Sequence, residues 1–191
     1  MTELKGTQTE KNLLKSFAGE SQARNRYTFF ASQANKDGYK QIEEIFVETA
    51  RNEKEHAERF FNFLKGGSLE ITASFPAGVI GSTEENLVAA ADGEREEHQE
   101  LYPEFANIAK EEGFSEIATA FQEIAEVEEE HEKRYLALLS NIRNGTVFKR
   151  NEVVKWKCGN CGYVHEGKEA PQKCPACLHD LKYFRIKETN Y

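Results

Sequence analysis

The first 157 of the 191 residues contain no cysteine, which excludes a disulfide framework for that stretch. Long apolar runs are also missing; none approaches the roughly 20 residues that a membrane-spanning helix needs. The stretch Met1-Thr-Glu-Leu-Lys lacks the apolar segment of an export signal, so a cytoplasmic location is expected. Positive charge is scarce over most of the chain. The net charge is -8, with 25 Lys/Arg against 33 Asp/Glu. Residues 146–191 hold nine Lys/Arg and five Asp/Glu, which leaves 16 and 28 for residues 1–145, or -12. An acidic body of this kind argues against nucleic acid as its main partner, and the basic tail and acidic body are expected to attract each other.

What is present is a repeat. Glu53 and His56 form a Glu-x-x-His pair, and Glu128 and His131 form another 75 positions later. The flanking residues match at the same offset: Ile42, Phe46, Thr49, Phe60 and Phe63 fall on Ile117, Phe121, Ile124, Tyr135 and Leu138. Steps alternating between four and three trace one face of a helix, so each acid and its histidine sit on an inward apolar stripe. Buried carboxylates without a counter-charge cost several kcal/mol. Two such sites in one core therefore call for cations, and histidine beside carboxylate makes the cation a metal.

Four long helices are expected in the body. Thr7-x-x-Glu10 starts the first, which runs to Asp37-Gly38; the second runs from about 40 to Gly66-Gly67. A loop of about 15 residues, 68–82, follows. Ser82-x-x-Glu85 starts the third helix, which stops near Gly113, and the fourth runs from Ser115 to Asn144-Gly145. Short connections within each half and a long one between them predict two antiparallel hairpins related by an approximate two-fold axis.

Extending the repeat to the remaining helices pairs Leu13 with Leu87 and Glu20 with Glu94, now at an offset of 74. The set Glu20, Glu53, His56, Glu94, Glu128 and His131 is one Glu from each of two helices plus Glu-x-x-His from each of the others. That is the pattern of ferritin-like di-iron proteins. Glu55, Glu96, Glu126, Glu129 and Glu130 fall off the stripe and read as solvated face. The repeat breaks at Glu97, one turn after Glu94, where the first helix has Ala23; the two metal positions are expected to be inequivalent. Five carboxylates carry -5, and two Fe(II), or two Fe(III) with an oxide, carry +4, so the core stays near neutral through a two-electron change. Manganese and zinc share these ligand types.

The tail reads Cys158-x-x-Cys161 and Cys174-x-x-Cys177, two knuckles that bind one tetrahedral ion through four thiolates. A structural zinc uses the same spacing. Tyr27, seven residues after Glu20, and Tyr102, five after Glu97, are candidates to hydrogen-bond ligand carboxylates. His179 is a candidate for an electron path, and His98 and His165 read as structural or solvated.

The motif Cys-x-x-Cys-Gly-Tyr, the surrounding Trp156, Tyr163, Tyr183 and Phe184, and Cys-Pro-x-Cys resemble rubredoxin, except that Leu178 stands where rubredoxins carry glycine. Such a tail behind a ferritin-like di-iron bundle, with the stretch Phe17-Ala-Gly-Glu-Ser-Gln-Ala-Arg-Asn-Arg-Tyr27, resembles the rubrerythrin family over essentially the whole chain. The fold class expected is mainly α: a bundle over 1–147 and a small β-rich rubredoxin-like domain over 148–191. The resemblance implies a di-iron site held by Glu20, Glu53, His56, Glu94, Glu97, Glu128 and His131, with Glu53 and Glu128 bridging and Glu97 exchanging with His56 on reduction. It implies one iron at Cys158, Cys161, Cys174 and Cys177. It also implies reduction of hydrogen peroxide with Glu97, His56, Tyr27 and Tyr102 at the reacting centre. Electrons would come from NAD(P)H through a separate reductase or rubredoxin. A homodimer is implied, with one subunit's tail near the other's di-iron site. The competing readings are a ferroxidase or iron store, an O2-reducing oxidase, and a binding module built on a zinc ribbon.

Overall fold

The computed structural model describes residues 3–190; Met1 and Thr2 of the N-terminal stretch, and Tyr191, lie outside the described residues. Helix α1 (Gln8–Lys36) and α2 (Lys40–Phe63) form one hairpin. Helix α3 (Thr83–Glu96), a π-helical turn (Glu97–Leu101) and α4 (Tyr102–Glu111) form one interrupted rod, which pairs with α5 (Ser115–Arg143). The third helix expected from the sequence is thus broken by a π turn. The sequence holds its trace: the offset is 74 up to Glu94 and 75 from Tyr102 onward (Tyr27 to Tyr102, Ile42 to Ile117). A π turn takes one extra residue, and that residue is the change in offset.

The helix starts follow their caps. The Ser82 side chain accepts from the Glu85 amide while the Glu85 carboxylate accepts from the Ser82 amide, a complete capping box. At α1 the Thr7 hydroxyl accepts from the Glu10 amide, but the Glu10 carboxylate accepts from Gly6 instead of Thr7. The two hairpins also cap each other. The Asp37 carboxylate, at the end of α1, accepts from the amide and hydroxyl of Thr83 at 2.9 and 2.7 Å. The Glu112 carboxylate, at the end of α4, accepts from the amide and hydroxyl of Thr9 at 2.8 and 2.6 Å. Asp37 and Glu112 are themselves 75 positions apart, so the pseudo-two-fold reaches the ends of the bundle.

Two apolar clusters fill the bundle. One holds Tyr27, Ile42, Phe46, Leu87 and Tyr135; the other holds the repeat partners Tyr102, Ile117, Phe121, Leu13 and Phe60. Even ring spacings repeat: Tyr27–Tyr135 and Tyr102–Phe60 are both 5.6 Å apart. Full burial of each such side chain stabilises the fold by about 1.5–3 kcal/mol.

Strands β1 (Lys149–Cys158), β2 (Val164–Glu169) and β3 (Phe184–Ile186) make an antiparallel sheet in the order β2-β1-β3. Residues 146–148 lie outside it. The small core consists of Trp156, Cys158, Ala170, Cys174 and Phe184, and the Trp156 indole donates to the Gly167 carbonyl. This sheet rests on its own chain's α1–α2 turn. Arg185 pairs with Glu44, Lys182 donates to Asn35 at 3.0 Å, and Phe148 stacks on Tyr39. The contact is between the basic tail and the acidic body, within one subunit.

Candidate metal centres

The inward stripes carry the six repeated ligand candidates to the mid-section of the bundle, between the two apolar clusters. Glu20, Glu94 and Glu128 are fully buried, Glu53 is 1% exposed and His131 5%. Their ligating atoms form two groups, Glu20–Glu53–His56–Glu128 and Glu53–Glu94–Glu128–His131, each with all atoms within 4.8 Å of one another. Glu53 and Glu128 belong to both groups. A carboxylate has two oxygens, so these two residues can serve neighbouring ions at once, while Glu20 with His56 and Glu94 with His131 complete the ends. The off-stripe Glu55, Glu96, Glu126 and Glu130 are exposed and Glu129 half-exposed, as expected.

The donor atoms are arranged for cations more than for each other. Glu20 Oε2 and Glu94 Oε2 are buried without a hydrogen-bond partner, and Glu53 Oε1, both Glu128 oxygens and His131 Nδ1 have only the imidazole–carboxylate contacts within the cluster itself. Orphaned buried polar atoms on this scale are rare and need an explanation. Imidazolium can substitute in part. His56 Nδ1 lies 3.1 Å from Glu53 and 2.8 Å from Glu128, and His131 Nδ1 lies 2.7 Å from Glu128 and 3.3 Å from Glu53. Against burial, which favours neutral rings, these carboxylates raise His56 to about 10 and His131 to about 9. Burial and then neighbouring carboxylates push Glu20 and Glu94 well above the usual carboxylate range. The histidines thus stand in for a positive charge that the cluster requires, and four carboxylates with two imidazoles fit a pair of iron ions.

Two tyrosines brace the outer carboxylates crosswise. Tyr27 on α1 donates to Glu94 on α3 at 2.6 Å, and Tyr102 at the start of α4 donates to Glu20 on α1 at 2.5 Å. The π turn makes this symmetry possible, because it places Tyr102 eight residues after Glu94 where Tyr27 stands seven after Glu20. Burial and adjacent carboxylates push both phenols well above their usual range, so they remain donors.

Glu97, at the start of the π turn, falls outside both groups. Its Oε1 faces Gly19, and it lines a cavity with Phe75 and Arg26. Burial and the charges of Glu128 and Glu53 raise its carboxyl, while Arg26 acts the other way. The two donor groups themselves are matched, each with three Glu and one His, so the difference between the halves lies beside them. Ala23 is a small buried residue, and its counterpart Glu97 is a carboxylate reaching a cavity. His98, read from sequence as structural or solvated, holds Glu132 of α5 at 2.7 Å. That pair, and Arg26 and Phe75, carried no periodic signal in the sequence.

In the tail the four thiols converge, with Cys158–Cys177 sulfurs 3.8 Å apart and Cys161–Cys174 sulfurs 3.5 Å apart. A tetrahedron with metal–sulfur bonds of about 2.3 Å has edges of about 3.8 Å. Backbone amides aim at the sulfurs: His179 donates to Cys177, which is lowered to about 6, and Tyr163 donates to Cys161. Against the Tyr163 amide, neighbouring thiols raise Cys161 to about 12. Leu178 keeps the knuckle turn by adopting φ 61°, and its amide donates to Cys174 O at 2.8 Å, as Gly162 donates to Cys158 O at 2.9 Å. His179 packs edge-on against Tyr183 and contacts the Cys177 carbonyl at 3.1 Å.

Comparison with known proteins agrees with this geometry. Residues 11–139 match the rubrerythrin family model and residues 156–185 the rubrerythrin rubredoxin-like domain. The chain is 64% identical over 188 residues to a rubrerythrin of Porphyromonas gingivalis, covering 98% of this chain and 94% of that one. It is 57% identical to a rubrerythrin of Nitratidesulfovibrio vulgaris over the full length of both. Among solved structures, nigerythrin in a mixed-valence state superposes with a TM-score of 0.63 at 30% identity, over 97% of this chain and 92% of that one. Among the described residues, no helix is long and apolar enough to cross a membrane.

Proposed function

Because the chain belongs to the rubrerythrin family, with the iron-dependent redox role which that membership carries, we propose that it is a non-haem di-iron peroxidase that reduces hydrogen peroxide to water. The observation that carries the reading is the joint presence of two sites. One is a buried pair of donor groups sharing Glu53 and Glu128; the other is a four-cysteine cluster in the same chain. The overall change is H2O2 plus two protons and two electrons to two waters, with electrons from NAD(P)H through a separate reductase or a rubredoxin. When bound, the iron pair supplies electrons two at a time to an O–O bond, and the four-thiolate iron carries them singly.

The chain's own residues supply the frame. We assign residues 1–147 to the di-iron bundle and 148–191 to the rubredoxin-like domain. Glu53 and Glu128 are assigned as bridges, Glu20 with His56 and Glu94 with His131 as end ligands, and Glu97 as the extra ligand of one position. Tyr27 and Tyr102 hold Glu94 and Glu20 at fixed angles and keep a proton on each phenol beside the reacting centre. Burial of the carboxylates excludes bulk water, which strengthens every charge interaction in the site. The working assembly is proposed to be a homodimer.

The test is metal analysis with steady-state kinetics. Two irons in the bundle and one in the tail, with anaerobic NADH oxidation dependent on H2O2, are expected. Zinc in the cysteine site with no visible ferric-thiolate band would remove the electron-transfer role. Fe(II) oxidation with mineral accumulation and no peroxide turnover would favour the iron-storage reading.

A further inference from the structure

The iron-binding carboxylates are almost wholly enclosed, so a reactant needs a way in. A cavity of about 360 Å³ lies between α1, the π turn and the segment that crosses from α2 to α3. At its inner end are Glu97 and Tyr102, and the Tyr102 hydroxyl is bonded to Glu20. At its outer end Ala73, Ser74, Phe75 and Pro76 are exposed, with the Phe75 side chain 42% exposed. Gly19, immediately before Glu20, lies between the two ends. A Cβ there would stand 3.7 Å from the Phe75 ring and 4.0 Å from Glu97 Oε1.

Gly19 is not required by the backbone. It lies in the interior of α1 without a positive φ, and an added methyl would make only ordinary contacts. Glycine in such a place costs roughly 1 kcal/mol of helix stability relative to alanine. What its absent side chain leaves is a gap between an aromatic ring and a carboxylate. Beside that gap stands Arg26. Its Nε is buried without a hydrogen-bond partner, and it shares the cavity lining with Glu97, whose carboxyl its charge acts on.

We propose that this cavity is the entry path and holding site for a small unsubstituted peroxide, in which Gly19 and Phe75 set the size limit and Arg26 offers hydrogen-bond donors to its oxygens. The proposal rests on the peroxidase reading above and adds residues that select the substrate. Hydrogen peroxide, about the bulk of two waters at roughly 30 Å³ each, passes such a gap, whereas a branched alkyl hydroperoxide meets the ring.

The test uses the iron-loaded full chain with Gly19→Leu and Phe75→Ala. Gly19→Leu is expected to raise KM for H2O2 by about tenfold with kcat less affected, the pattern of impaired entry. Azide affinity of the oxidised di-iron site, read from absorption, should fall in parallel. Phe75→Ala is expected to raise kcat/KM for tert-butyl hydroperoxide relative to H2O2 by about tenfold. Wild-type KM and azide affinity in Gly19→Leu, or unchanged discrimination in Phe75→Ala, would overturn the proposal. If Gly19→Leu fails to load iron, Phe75→Ala decides alone. Azide affinity that falls in Gly19→Leu when the wild-type chain turns over no peroxide would retain the path and reject the peroxidase reading instead.

Discussion

Glu97 and Leu178 show what one side chain changes. Glu97 stands at the repeat position of Ala23, so it adds a carboxylate to one half only. Glu97→Ala is expected to retain the iron pair, because neither four-residue group includes it, but to alter peroxide turnover; an unchanged rate would make the asymmetry incidental. Leu178 occupies the left-handed region at φ 61° with its side chain 74% exposed. That conformation costs a non-glycine residue about 1–2 kcal/mol, partly offset by the lower entropy of its unfolded chain. Leu178→Gly should therefore raise the melting temperature of the metal-loaded tail slightly, by less than about 1 kcal/mol in stability. The departure from glycine was visible in the sequence. That the turn would survive it was not, because φ depends on the hydrogen bond to Cys174 and on the ligand geometry around it.

At the scale of elements, the π turn and the crosswise caps matter most. Deleting Gln99 should restore a regular helix and leave Tyr102 seven residues after Glu94, the spacing at which Tyr27 follows Glu20 in α1, so Tyr102 keeps its place facing Glu20. The expected result is iron binding close to that of the parent chain, measured by titration of apo-protein with Fe(II); strongly weakened binding would show that the π turn itself, and not the register it preserves, positions Tyr102. The mutual caps give a pH prediction. Burial favours protonation of Asp37 and Glu112, but hydrogen bonds from Thr83 and from Thr9 with Gln8 outweigh it and hold both carboxyls below their ordinary values. A carboxyl lowered in the folded state stabilises above its unfolded pKa and loses that contribution as pH falls through the folded value. Asp37→Ala or Glu112→Ala should each cost about 1 kcal/mol at neutral pH, the scale of a lost helix cap. The gap from the wild-type chain should narrow below pH of about 4. Urea melts across pH check both. The offset of 74 changing to 75 encoded the π turn in the sequence. Its placement at Glu97–Leu101 required the hydrogen-bond pattern, since a single inserted residue can be absorbed anywhere between Glu94 and Tyr102.

At the scale of the whole molecule, two units depend on different forces. The bundle buries two large apolar clusters, whereas the sheet has a core of a few side chains and relies on its ion. Stripping the cysteine site with a strong chelator should disorder the sheet while leaving the helical circular dichroism of the bundle nearly intact. Concerted loss of both would contradict this division. The tail is moored to its own body through Arg185 to Glu44 and Phe148 to Tyr39. The ion pair is partly exposed and worth at most about 1 kcal/mol, so raised salt should loosen the tail without unfolding either part.

Sequence alone determined the helical repeat, the six inward ligand candidates, the unequal Glu97 and the four-cysteine cluster, because helix period and knuckle spacing are local and each residue type announces its chemistry. Tertiary structure decided what depends on approach across the bundle. It set which carboxylates belong to both donor groups and which tyrosine braces which acid. It also showed that Asp37 and Glu112 cap the opposite hairpin, and that a gap beside Gly19 opens toward Glu97. These are distances between residues about 45 to 105 positions apart, fixed by packing of whole helices, which no local pattern records.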